Sequence, residues 1–120
     1  MSFAKVPPEV LAAFEAALPV DARVERRKMF GCPCAFASGN LFFGCFEDRI
    51  TVRLPPEART EVLASLPGAR PFAPLGGHEM REYLEIPGDT PARTLTELAA
   101  RSFAWAVDLP RKVKKPAKKR

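Results

Sequence analysis

The chain has 120 residues, enough for one domain that buries roughly 65% of its unfolded surface without disulfide or metal staples. Its formal charge of +5 is unevenly held: residues 111–120 carry seven basic side chains and no acid, leaving 12 basic against 14 acidic residues, net −2, in the body. Three cysteines without framework spacing argue against a disulfide-stapled secreted module, and no apolar run reaches the length of a bilayer span.

Residues 1–8, Met-Ser-Phe-Ala-Lys-Val-Pro-Pro, lack the apolar core of a signal peptide, so a cytoplasmic location is expected by elimination. Pro7-Pro8-Glu9 is a good helix start, because proline fits the first turn and an acid there suits the dipole. Val10, Leu11, Phe14, Ala17 and Leu18 follow at helical spacing, and Pro19 stops the helix. Ala22 to Phe30 reads as a first strand in which Glu25, Arg26, Arg27 and Lys28 break any apolar alternation. Such a run suits a sheet edge, where charge discourages pairing with other chains.

Cys34 to Ser38 and Leu41 to Phe46 are the next strands, joined by a tight turn at Gly39-Asn40. In the second, Leu41, Phe43 and Cys45 are expected on one face and Phe42 and Phe46 on the other, so both faces should be covered. After a break at Glu47-Asp48, Ile50, Val52 and Leu54 alternate with Thr51 and Arg53 as a half-buried strand does.

Pro55-Pro56-Glu57 opens a second helix with Ala58, Val62 and Leu66 at spacing four, ended by Pro67-Gly68. Pro71 to Leu75 is short and extended, Gly76-Gly77 turns the chain, and Met80 to Ile86 is a strand with Met80, Leu84 and Ile86 inward, closed by Pro87-Gly88. A last helix begins near Pro91 or Thr94, where Thr94-Leu-Thr-Glu97 has the form of a capping box and Thr90 competes as cap. Its apolar stripe runs Leu95, Leu98, Ser102, Trp105, Leu109, flanked by Ala99, Phe103 and Ala106. The order α-β-β-β-β-α-β-β-α predicts an α+β fold: an antiparallel sheet of about five to six strands with helices packed on it.

Side chains suited to chemistry are few. Cys32, Cys34, Cys45 and His78 are the one conceivable metal set, but Cys-x-Cys is not the usual knuckle spacing and strand cysteines commonly serve as small hydrophobes. Glu79, Glu82 and Glu85 lie on or beside one strand among arginines, where surface pairing accounts for them. There is no Ser-His-Asp order, P-loop, dinucleotide fingerprint or metalloprotease helix, so no enzymatic activity and no cofactor are expected. Arg53, with Tyr83 and Arg81 as expected neighbours, suggests either a small anion pocket or an arginine packing its stem on Tyr83.

Met29-Phe30-Gly31, the Gly39-Asn40 turn, a strand ending Val52-Arg53-Leu54, Pro71-Phe72, and Met80-Arg-Glu-Tyr83-Leu-Glu-Ile-Pro87 stand in this order along the chain. In that order and spacing, together with the Trp105-bearing helix, the chain resembles the N-terminal domain of the TfoX/Sxy family over residues 7–109. That family typically shows Met-Phe-Gly-Gly, a Pro-Phe pair and a Met-x-x-Tyr-x-x-x-Pro strand. Cys32 stands where the family has its second glycine, and the basic tail stands where full-length competence regulators carry a further domain. The resemblance implies an α+β domain over residues 1–109, akin to secretion-chaperone-like folds, acting as a regulatory or protein-interaction module without catalytic residues.

The expected partner is another protein, a second copy of the chain included, through a sheet edge or the exposed sheet face. One alternative is an electrostatic tether to nucleic acid through Arg111, Lys112, Lys114, Lys115, Lys118, Lys119 and Arg120, which would bind phosphates without sequence choice. Another is a small-ligand or metal sensor built on Arg53 and Tyr83 or on the cysteines. No membrane association is expected.

Overall fold

A computed structural model describes residues 6–29, 32–72 and 82–109. The elements are α1 (Pro8–Ala17), β1 (Glu25–Met29), β2 (Cys32–Ala37), β3 (Asn40–Phe46), β4 (Arg49–Arg53), α2 (Pro56–Ser65), β5 (Arg70–Pro71), β6 (Tyr83–Pro87) and α3 (Ala92–Asp108). The fold is α+β, with the element order read from the sequence. The six strands form one antiparallel sheet in the order β1-β2-β3-β4-β6-β5, so the charged first strand does lie at an edge. No helix among the described residues is long and apolar enough to cross a membrane.

Strand pairing sets the core. Phe43 faces Val52 and Val52 faces Leu84, while Cys45 faces Ile50 and Ile50 faces Ile86. These two rows, all buried, run across β3, β4 and β6 on the face that α1 and α3 cover. Phe14 of α1 stacks on Phe43 with centroids 5.7 Å apart, and Phe103 of α3 meets Phe42 edge-on at 5.5 Å. Pairs of this kind add about 0.5–1.5 kcal/mol to what their burial supplies. α2 is marginal by comparison, burying only Ala58 and Val62, and Arg101 of α3 reaches Glu61 on it at 3.0 Å.

The strict alternation expected along β3 does not hold. Ala35 pairs with Phe43 but Phe36 pairs with Leu41, so Phe42 is an extra residue opposite no partner, a β-bulge. The bulge lets consecutive phenylalanines, Phe42 and Phe43, both reach helices, and it moves Leu41 to the face of its partner Phe36, away from Phe43. All seven β3 residues are buried, as expected for a strand covered on both sides.

Several boundaries shift. β1 starts at Glu25 rather than Ala22, because Asp21 and Arg23 form a local turn closed by Val24 N–H to Asp21 O at 3.1 Å. β2 starts at Cys32, so Cys32 and Cys34 both enter the sheet. The β2–β3 turn falls on Ser38-Gly39, with φ of 51° and 75°, one residue earlier than read; Asn40 is buried in β3. Glu47, φ 56°, makes the next turn as expected. α3 has Pro91 at its N-cap and no side-chain cap. Thr94 already lies in its first turn, and the Thr90 hydroxyl donates to Pro87 O at 2.6 Å, so neither threonine caps. The Met80 part of the strand and the Gly76-Gly77 turn lie outside the described residues; β6 begins at Tyr83 and turns Leu84 and Ile86 inward as read.

Candidate functional site

β4 and β6 turn the sequence Arg-Ile-Thr-Val-Arg against Tyr-Leu-Glu-Ile-Pro, with Arg53 opposite Tyr83 and Arg49 opposite Pro87. Arg49, Thr51 and Arg53 therefore share the face opposite Ile50 and Val52. At one end the Arg53 guanidinium donates through Nε to Glu82 Oε1 at 2.8 Å and through Nη1 to Asn40 Oδ1 at 3.4 Å. Its carbon lies 5.5 Å from the centroids of both Tyr83 and Trp105, within cation–π range. The Tyr83 hydroxyl donates to Leu41 O at 3.0 Å, and burial pushes its pKa up, with Arg53 opposing.

The Arg53 side chain is 18% exposed. An acid, an amide and two rings already occupy the positions an anion would need, so the arrangement is an internally satisfied clasp. It does more than the expected packing of a stem on Tyr83. Glu82 has φ 75°, a conformation costly for a non-glycine residue, and its carbonyl accepts from Leu54 N–H at 2.9 Å. The clasp thus holds the start of β6 against the end of β4. Ser102 of α3 completes it from behind, its buried hydroxyl 2.7 Å from Phe42 O and 2.5 Å from Arg53 O. Reading the sequence placed Ser102 in an apolar stripe and missed this role; a lone serine in such a stripe is the available signal, since a buried hydroxyl needs a partner.

At the other end Arg49 Nε stands 2.5 Å from the buried Glu85 Oε1, too oblique for a hydrogen bond, while Arg49 Nη2 donates to Gly68 O at 2.5 Å. Arg70 of β5 reaches the same Glu85 oxygen at 3.2 Å. The acids read as surface-paired are paired here too, although Glu85 is more buried than a surface role implies; Glu79 and Arg81 lie outside the described residues.

Of the residues that carry the family resemblance, Arg53 and Tyr83 meet in the clasp. Pro71 lies in β5, Phe72 follows it and meets Phe46 edge-on at 5.2 Å, and Pro87 ends β6. Met29 ends β1, far along the sheet order from these. Phe30, Gly31 and Met80 lie outside the described residues, as do Arg111, Lys112, Lys114, Lys115, Lys118, Lys119 and Arg120.

Cys32, Cys34 and Cys45 are buried, and none of them is in a disulfide. Burial, with the neighbouring cysteines and Glu15 adding to it, pushes the Cys45 thiol up to about 12, the opposite of what a reactive thiolate or a metal ligand needs. Among the described residues no group of three His, Cys, Asp or Glu could hold a metal ion; His78 lies outside them.

A cleft of 590 Å³ opens between α1 and the turns at Asp48 and Gly88, with Glu9, Arg49 and Asp89 at its wall. Gly88 permits this approach of two turns: a Cβ there would meet the Asp48 carbonyl oxygen and come within 2.7 Å of Val10 Cγ2.

The outer edge of β1 differs from these occupied sites. Glu25, Arg26, Arg27 and Lys28 are all exposed, and among the described residues no strand pairs with that edge. Arg26 pairs with Glu15 of α1, Arg27 with Glu25 at 2.9 Å, and Arg27 lies over the Phe36 ring at 5.0 Å. In comparisons with known proteins, no family model, no curated protein and no solved structure matches the chain.

Proposed function

We propose that this chain is a non-enzymatic regulatory or protein-interaction module of the kind its resemblance to the TfoX N-terminal domain implies, working in the cytoplasm. One observation carries the reading: the charged side chains of the sheet's polar face are already ion-paired with one another, whereas β1 offers a five-residue strand edge with which no strand pairs among the described residues. An exposed edge recognises other chains through main-chain hydrogen bonds without a dedicated catalytic group.

The test is a photo-cross-linking residue placed at Arg27, compared with one at the exposed Leu63 of α2, in the native cell. A defined protein adduct from the first position and not the second, in chains with and without residues 111–120, supports the module. Equal adducts from both positions, or none, count against it. A second reading rests on charge: seven basic side chains in residues 111–120 against a body of net −2 favour a nucleic-acid tether. Adducts to nucleic acid that vanish with the tail would favour that reading.

A further inference from the structure

Two clefts adjoin along β1 and share Glu15 and Arg26. One, 340 Å³, has Leu11 and Pro33 at its floor beneath Arg26 and Lys28. The other, 310 Å³, is walled by Leu18, Val20 and Val24, and Val20 is fully exposed. A groove with an apolar floor therefore runs between α1 and the free edge of β1, with the cations Arg26 and Lys28 along β1 and the acids Glu15 and Asp21 of its wall already paired with Arg26 and Arg23. A strand that only needs guarding against aggregation requires the charges but not the apolar floor beside them.

Building on the module reading, we propose that this groove takes an extended peptide rich in both acidic and aliphatic residues, added to the sheet as a strand alongside β1. Three observations select that occupant. The first is charge. Arg26 is held by an exposed pair with Glu15, and Arg27 by an exposed pair with Glu25 and by its contact with the Phe36 ring, exposed pairs being worth little, and Lys28 has no ion partner among the described residues. An incoming carboxylate exchanges with those pairs at small cost.

The second is geometry. β1 pairs Arg26 with Ala35 and Arg27 with Cys34, so Arg26 and Lys28 face α1 and Arg27 the opposite side. Cations on both faces match acids on both faces of an added strand, while side chains spaced about 6.7 Å apart on one face reach the two clefts in turn.

The third is what the edge rejects. Two copies joined by β1 about a two-fold axis at Arg27 would set Arg27 against Arg27 and Arg26 against Lys28 on either side. Like charges directly opposite destabilise a strand pair, so the edge disfavours a second copy in its central register.

The test uses the full chain and three eight-residue blocked peptides of alternating sequence, Glu-Val, Thr-Val and Lys-Val, with binding read by titration and by hydrogen-exchange protection of the β1 amides. The expected result is protection confined to β1, with Glu-Val binding about tenfold tighter than Thr-Val, as a few cross-strand charge pairs supply, and that margin shrinking in high salt. R27E/K28E, both exposed positions, should keep the unfolding midpoint and shift the preference to Lys-Val. If Thr-Val and Glu-Val protect β1 equally, the acidic preference is overturned while the edge module stands. If no peptide protects β1, both fail. If a poly-dT oligonucleotide displaces Glu-Val and binds more tightly, the groove belongs to nucleic acid and the proposal is wrong.

Discussion

β3 and β1 stand two places apart in one sheet and are built on opposite terms. Every residue of β3 is buried, and helices meet it through Phe42 and Phe43. In β1 residues 25–28 are all exposed, and its ion pairs run to Glu15 of α1 or within the strand. The difference separates tasks that a small domain cannot give to one strand. Apolar burial at about 25 cal/mol per Å² concentrates stability where no partner can reach, and the edge where partners can reach contributes little to folding.

The largest expected effect tests the β3 side of that contrast. Phe42→Ala removes the bulged ring from Phe103 and should lower stability by about 3–5 kcal/mol, read from denaturant unfolding. A loss below ~1 kcal/mol would mean that the bulge does not anchor α3. Ser102→Ala, which deprives Phe42 O and Arg53 O of their buried donor, should cost about 1–3 kcal/mol on the same measurement.

Cys45 gives a comparable figure with a separate signature. Cys45→Ala should cost ~1–3 kcal/mol as a small core truncation, and purified protein should carry less than one zinc per chain; stoichiometric zinc lost in Cys34→Ser would make the cysteines a metal site. The folded thiol is raised from 9.0 to about 12 by burial. Below pH 9 the thiol keeps its proton in both states and stability is unaffected. Between pH 9 and 12 the unfolded chain ionises and the folded one does not, so stability falls with rising pH, by up to about 1.4 kcal/mol per unit. Cys45→Ala should remove the part of that decline that starts near pH 9, leaving the part that Tyr83, also raised, starts nearer pH 10. An unchanged alkaline limb would show Cys45 to be less buried than β3 implies.

Much of this contrast can be read from residues alone. Proline-led helix starts, the Ile50-Val52-Leu54 alternation and the charges of Glu25 to Lys28 mark the helices, a half-buried strand and an edge, because each is local chemistry. What stayed hidden depends on pairing. The bulge at Phe42 follows from how β2 meets β3, and shifting register by one residue changes faces without changing composition. The capping-box form at Thr94 misled because Pro91 starts the helix earlier, placing that threonine inside the first turn. Arg53 with Tyr83 was legible as a neighbour pair, but Asn40, Trp105 and Ser102 reach the clasp from elements 13 to 52 positions away in the chain, beyond any local pattern. The cleft beside β1 needs α1 in place and has no sequence signal beyond an exposed Val20.

At the small end lie changes that should leave folding untouched. Lys28→Ala in β1 should shift stability by no more than about 0.5 kcal/mol, as exposed sites usually do. Deleting residues 111–120, whose apolar content is too low to join a core, should leave the unfolding midpoint nearly unchanged. The deletion separates the two cationic regions of the chain. Seven basic side chains neutralise at most about seven phosphates, so the logarithm of duplex affinity should fall against log salt with a slope no steeper than roughly −6. A body of net −2 adds little long-range attraction. Duplex binding at low salt should therefore disappear with the tail, while the response to acidic peptides at β1 remains. Duplex binding that survives the deletion with a sequence preference would assign the contact to the sheet and remove the distinction between a strand edge that reads peptides and a tail that holds phosphates. No binding by either form would leave the tail with a solubilising role and β1 as the recognition surface.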